Sequence, residues 1–159
     1  MMRGGITCPE QGEPFYGQDA QYDTNTQSYK KLDENGNDLP YSATSWVMVR
    51  DNVTGLIWEV KTDDGSIHDK DNAYDWYDAQ DVFIAKLNND NFGGYSDWRL
   101  PTVIELSFIR NLDTLEPAIN TDYFPNTMSS DYCSSTSSAN TPGSAWHVHF
   151  DYGVRSHYY

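Results

Sequence analysis

The order in which hydrophobic periods follow one another is the strongest constraint on what this chain can fold into. Residues 46–50 (WVMVR) and 56–60 (LIWEV) are short β-branched and aromatic runs separated by the turn-rich DNVTG, which predicts a β-hairpin. Between Asn72 and Asn88, Ala73, Trp76, Phe83, Ile84 and Leu87 recur at near-helical spacing, with Asp75, Asp78, Asp81 and Lys86 for the opposite face. That spacing predicts an amphipathic helix capped by Asp71 or Asn72 and ended by NNDNFGG. Thr102 and Glu105 form a T-x-x-E capping box behind Pro101 and ahead of Leu106, Phe108, Ile109 and Leu112, so a second, shorter helix is expected. Strand-like segments return around 131–135, 145–150 and 154–159, broken by NTPGS and DYG. Two hairpin regions flanking two helices, rather than strands and helices in alternation, predict an α+β domain.

Residues 1–45 are polar and turn-rich and read as irregular structure with short strands, Asn35-Gly36 being a hairpin-turn signal. We therefore expect an N-terminal segment over 1–45 and a single binding domain over 46–159. A chain of 159 residues is long enough to enclose its own core. Its formal charge of −14 opposes nucleic acid and anionic lipid as partners. No apolar run reaches the length of a membrane span, and residues 1–10 lack the pattern of a signal peptide. Cys8 and Cys133 could be a bridge or two unrelated thiols. Five Trp and twelve Tyr are more aromatics than such a core readily encloses, so some should be exposed at an interaction surface.

That surface points to the C-terminus. Residues 129–159 contain no Lys, Glu, Gln or Met, where simple proportion would place about four, and they hold three of the four histidines with many Tyr and Ser. Tyr supplies rigid contact area with few torsions to freeze, and Ser, Asn and His supply short adaptable hydrogen-bonding groups. If 145–150 is a strand, alternation turns Trp146, Val148 and Phe150 inward and His147, His149 and Asp151 outward. Expected core residues are Trp58, Trp76, Phe83, Leu87, Leu100, Leu106, Ile109, Trp146, Val148 and Phe150.

Four strings in this order, DNVTGLIWE (51–59), GGYSDWRLPTVIEL (93–106), YCSST (132–136) and AWHVHFDYG (145–153), resemble the bacterial collagen-like-protein C-terminal domain family over roughly residues 46–159. The resemblance implies a C-type-lectin-like fold used in adhesins and, in one subgroup, in the variable proteins of diversity-generating retroelements. In that subgroup adenines of codons ending in C are randomised, a route that cannot produce Lys, Glu, Gln, Met or Trp. Trp146 then sits at a fixed framework position. The diversified, ligand-binding positions implied are Tyr132, Cys133, Ser137, Asn140, His147, His149, Asp151, Tyr152, Arg155, Ser156, His157, Tyr158 and Tyr159. The chain departs from the family pattern at Cys133, where members carry Trp. It also ends before the Val- and Arg-rich closing strand of relatives, which leaves the placement of 156–159 open.

No nucleophile with its base and no carboxylate pair across a cleft can be read from the spacing, so a non-catalytic role is expected. No cofactor is expected, although Asp63, Asp64, Asp69 and Asp71 in DDGSIHDKDN are Ca candidates, and His147 and His149 with Asp151 or His157 could suit Zn or Ni. Within GGYSDWRLPT, Asp97 and Arg99 are expected to hold the loop by charge-assisted hydrogen bonds. The expected partner is a protein or carbohydrate on a cell or particle surface, met in an extracellular, cell-surface or virion-surface setting. The alternatives are an adhesin of fixed specificity for acidic or sulfated glycans and a structural trimerisation unit.

Overall fold

A computed structural model describes residues 26–139 and 143–151, and the backbone of 153–158. The first sheet is antiparallel in the order β1 (Tyr29–Leu32), β2 (Met48–Asp51), β3 (Ile57–Glu59). The β2–β3 hairpin lies where the two apolar runs and DNVTG place it, in the register Met48↔Glu59 and Arg50↔Ile57. Asp51 closes its turn: the side chain accepts from Val53 N–H and from the Thr54 hydroxyl. β1 comes from the turn-rich N-terminal segment, where short strands are expected, and pairs along the whole of β2, with Leu32 fully buried. Gly36, at φ +78°, makes the predicted turn, which leads back to the isolated bridge Leu32↔Asp38.

Lys31 is buried on β1. Its ammonium lies 3.5 Å from the Trp46 ring and 5.4 Å from that of Tyr41, and it donates to the carbonyls of Tyr41 and Ala43. Aromatic faces and carbonyl oxygens thus replace the water a buried cation gives up.

The first helical region runs through α1 (Trp76–Asp78), a π-helical stretch (Ala79–Ile84) and α2 (Ala85–Asn89). Its cap is Asp75, which accepts from Asp78 N–H at 2.8 Å, not the expected Asp71 or Asn72. Those two residues belong to the preceding loop, and Ala73 stays exposed outside the helix. Ala79, Phe83 and Leu87 form the buried stripe, one face at four-residue spacing.

After α2 the chain turns through Phe92–Gly94. Gly93 has φ +65°, and a Cβ there would lie 2.2 Å from the Met48 terminal methyl, so this glycine is required on two counts. α3 (Val103–Phe108) starts on the predicted capping box: Thr102 accepts from Glu105 N–H at 3.2 Å, and Glu105 from Thr102 N–H at 2.7 Å. The helix stops at Phe108. Leu112 therefore falls beyond it, and Phe108 and Leu112 are 60% and 77% exposed instead of continuing the apolar face.

The second sheet is antiparallel in the order β4 (Asp131–Ser137), β5 (Ser144–His149), β6 (Gly153–Tyr158). One core joins the sheets: Tyr29, Val49 and Val60 from the first, Leu106 and Ile109 around α3, Ile119 and Phe124 from the following loop, and Val148 and Phe150 from the second. Of the expected core residues, Trp58, Trp76, Leu100 and Trp146 are only half-buried. The three tryptophans each keep part of a large ring at the surface. No helix among the described residues is long and apolar enough to cross a membrane.

Candidate functional site

The second sheet gathers most of the implied binding positions, and its frame is built from hydrogen bonds that reach other elements. Trp76 Nε1 donates to Ser134 O at 2.9 Å, tying α1 to β4. Ser135 N–H donates to Pro101 O, and Val103 N–H to the Thr136 hydroxyl, tying β4 to the start of α3. The buried Ser134 hydroxyl donates to Trp146 O at 2.6 Å, locking β4 to β5. Below β4, Arg99 holds Glu105 through two bonds of 2.9 and 2.8 Å. That fork, with the Thr102 N–H, keeps the Glu105 carboxyl at about 2, well below its usual range. The partner of Arg99 is thus Glu105 rather than Asp97, which is exposed.

Register places Cys133, His147 and Arg155 side by side across the three strands, with Asp131, His149 and Gly153 in another such row. The expectation that β5 turns its histidines to solvent is corrected at His147, which is 3% exposed. β5 is the central strand and is covered on both faces, so its burial does not alternate: Ser144, Ala145, His147 and Val148 are all buried. His149 is half-buried, and its Nδ1 accepts from Asp151 N–H at 3.1 Å. Asp151 in turn accepts from Glu116 N–H at 3.1 Å.

Tyr132 is likewise corrected. Its ring meets Phe150 edge-on at 5.0 Å, and its hydroxyl accepts from Met128 N–H at 2.9 Å. Burial pushes the phenol up to about 12, with a further push from the Glu59 charge. It is a wall of the core, not a displayed group. Cys133 is half-buried and carries a thiol; Cys8, the other end of the bridge considered from the sequence, lies outside the described residues. Burial pushes the Cys133 thiol up to about 11, and the Asp131 and Asp75 charges add to the shift.

Ser137 is exposed at the end of β4, opposite Ala145 and beyond a bulge. Asp131 and Ser135 are exposed on the same strand; sequence reasoning does not single them out, though a Ser-rich edge strand is a signal that could have found them. Arg155, Ser156, His157 and Tyr158 lie on β6, whose side chains are outside the described residues, as are Asn140, Tyr152 and Tyr159 altogether.

The acidic loop is an internally bonded unit. Asp63, Asp69 and Asp71 bring carboxylate oxygens within 4.8 Å of one another, but Lys70 Nζ stands against Asp63 at 2.9 Å and Asp71 at 3.0 Å. Asp69 accepts from the N–H groups of Asp64, Gly65 and Asp71. Asp64, held at about 2 by hydrogen bonds from Ser66 and Thr62, closes the turn. These oxygens are taken up by the loop's own donors, which leaves a cation few lone pairs. Among the described residues His147 and His149 join no comparable group.

The family model described as the Lcl C-terminal domain matches residues 47–159. No curated protein and no solved structure matches the chain.

Proposed function

Taking as premise that this chain belongs to the Lcl C-terminal domain family, whose members are C-type-lectin-like binding domains, we propose that it is a non-catalytic recognition module. Its ligand surface is the β4 edge of the second sheet with the turn after β5. The ligand is a protein or glycan on another cell or particle, and the surface is diversified by a retroelement. The observation that carries this reading is the division of labour on β4. Ser134 is buried and locks the frame, while Asp131, Ser135 and Ser137 are exposed along the same strand. Exposed residues on a strand whose backbone is pinned elsewhere can be replaced at little cost, usually under about 0.5 kcal/mol.

A thiol pushed to about 11 has the opposite of the lowered pKa that a cysteine nucleophile needs, which supports the absence of catalysis. The charge of −14 supports a partner other than nucleic acid, and the setting that fits is extracellular. The test is a protein and glycan array probed with the native chain and with Asp131→Ala/Ser135→Ala/Ser137→Ala. Binding should be lost in the triple variant at unchanged melting temperature; binding that survives intact would sink the assignment. The coding DNA should be accompanied by a reverse transcriptase and a near-copy of residues 129–159 differing at adenines. Capture of sulfated glycans, stronger at about pH 6 than at about pH 8, would favour an adhesin of fixed specificity instead.

A further inference from the structure

The helical region 76–89 is capped and continuous, yet Phe83 and Leu87 are absent from the core that unites the two sheets. Its backbone makes only sparse approach to either sheet. Between the helix and the body lies a cleft of roughly 810 Å³, inside the range of about 300–1,000 Å³ typical of small-molecule sites. Phe83, Leu87, Trp58, Trp98, Leu106 and Tyr132 are among the residues that line it.

Most of the charges around it are spent on one another, Asp97 being an exposed lining carboxylate. Glu59 is held by Lys61 at 3.0 Å and by His68 at 2.9 Å, and Glu105 by Arg99 at 2.8 Å. The Lys61 ammonium also lies 4.2 Å from the Phe83 ring. An anionic ligand would have to break one of these pairs, whereas a neutral one would not.

We propose that this cleft is a binding site for an uncharged, largely aromatic small molecule. The cleft adjoins the start of β4, where Asp131 and Cys133 line it, but does not include Ser135 or Ser137, so the domain carries two neighbouring recognition surfaces, one for a macromolecule and one for a small ligand.

The probe is Prodan, a neutral naphthalene with a ketone acceptor, titrated into the full chain and followed by its emission. The expected result is saturable binding of one probe per chain. Ala79→Phe, which fills the space beside the helix stripe, should abolish binding while circular dichroism stays native. Cys133 lines the cleft, so in the unaltered chain bound Prodan should slow alkylation of that residue by iodoacetamide, located by peptide mapping. This reading needs no variant to fold. Equal or tighter binding of the anionic anilinonaphthalene sulfonate would overturn the neutral-ligand assignment. Non-saturable Prodan binding, or unchanged Cys133 alkylation, would overturn the site itself. Ser135→Ala/Ser137→Ala, which leaves the cleft-lining Asp131 in place, should leave Prodan binding intact, so failure here and failure of the β4 surface are separately visible.

Discussion

Tyr132 shows how one side chain can belong to a displayed vocabulary and still serve the core. Its ring is packed on Phe150 and its hydroxyl satisfies Met128 N–H. Tyr132→Phe should lower stability by about 1 kcal/mol, the net worth of one hydrogen bond, and leave partner binding unchanged. Denaturant unfolding beside a binding assay checks this, and binding lost at unchanged stability would return Tyr132 to the contact surface. His147 follows the same logic on the neighbouring strand: at 3% exposure it is a packed group.

At the scale of elements, two local devices carry measurable consequences. α3 is a six-residue helix, too short to persist alone, and it depends on Thr102, Glu105 and Arg99. Glu105 is held at about 2, against an ordinary value near 4.5. Its contribution is therefore fully present above about pH 4.5 and is lost as pH falls toward about 2. The stability gap between the native chain and Glu105→Gln should close over that window in unfolding curves recorded at successive pH values. Thr102→Ala should cost about 1 kcal/mol at neutral pH, as loss of a helix cap does. In the acidic loop, Lys70 occupies the position a cation would need. Calcium should leave the melting temperature of the native chain unchanged and raise that of Lys70→Ala, since a ligand that binds only the folded state stabilises it. A rise in the native chain would contradict the internally bonded geometry of Asp63, Asp69 and Asp71.

For the molecule as a whole, the core unites two small sheets across α3, while the helical region 76–89 is anchored to β4 through Trp76 Nε1 and Ser134 O. Elements with few packed partners open at lower free energy than the core. Amide hydrogen exchange should therefore be faster in residues 79–89 than in β2 and β5, and Trp76→Phe should widen the difference without speeding exchange in the sheets. Uniform protection across helix and sheets would show that the cleft is closed in solution.

What the sequence determined by itself is local: the β2–β3 hairpin from DNVTG between two apolar runs, the α3 capping box from T-x-x-E, the turn at Gly36, and the α+β class from the order of periods. Each rests on backbone preferences and hydrogen bonds within a few residues. The cap of the first helix moved from Asp71 or Asn72 to Asp75 because the acidic loop used the earlier residues for its own bonds. What only the tertiary structure decided is non-local: the pairing of β1 with β2, the aromatic cage around Lys31, the burial of Tyr132 and His147, and the cleft under the helix. Alternation along a strand says which residues share a face, but whether that face meets water depends on what packs on it. For the central strand of a sheet covered on both sides, that information lies in residues far away along the chain.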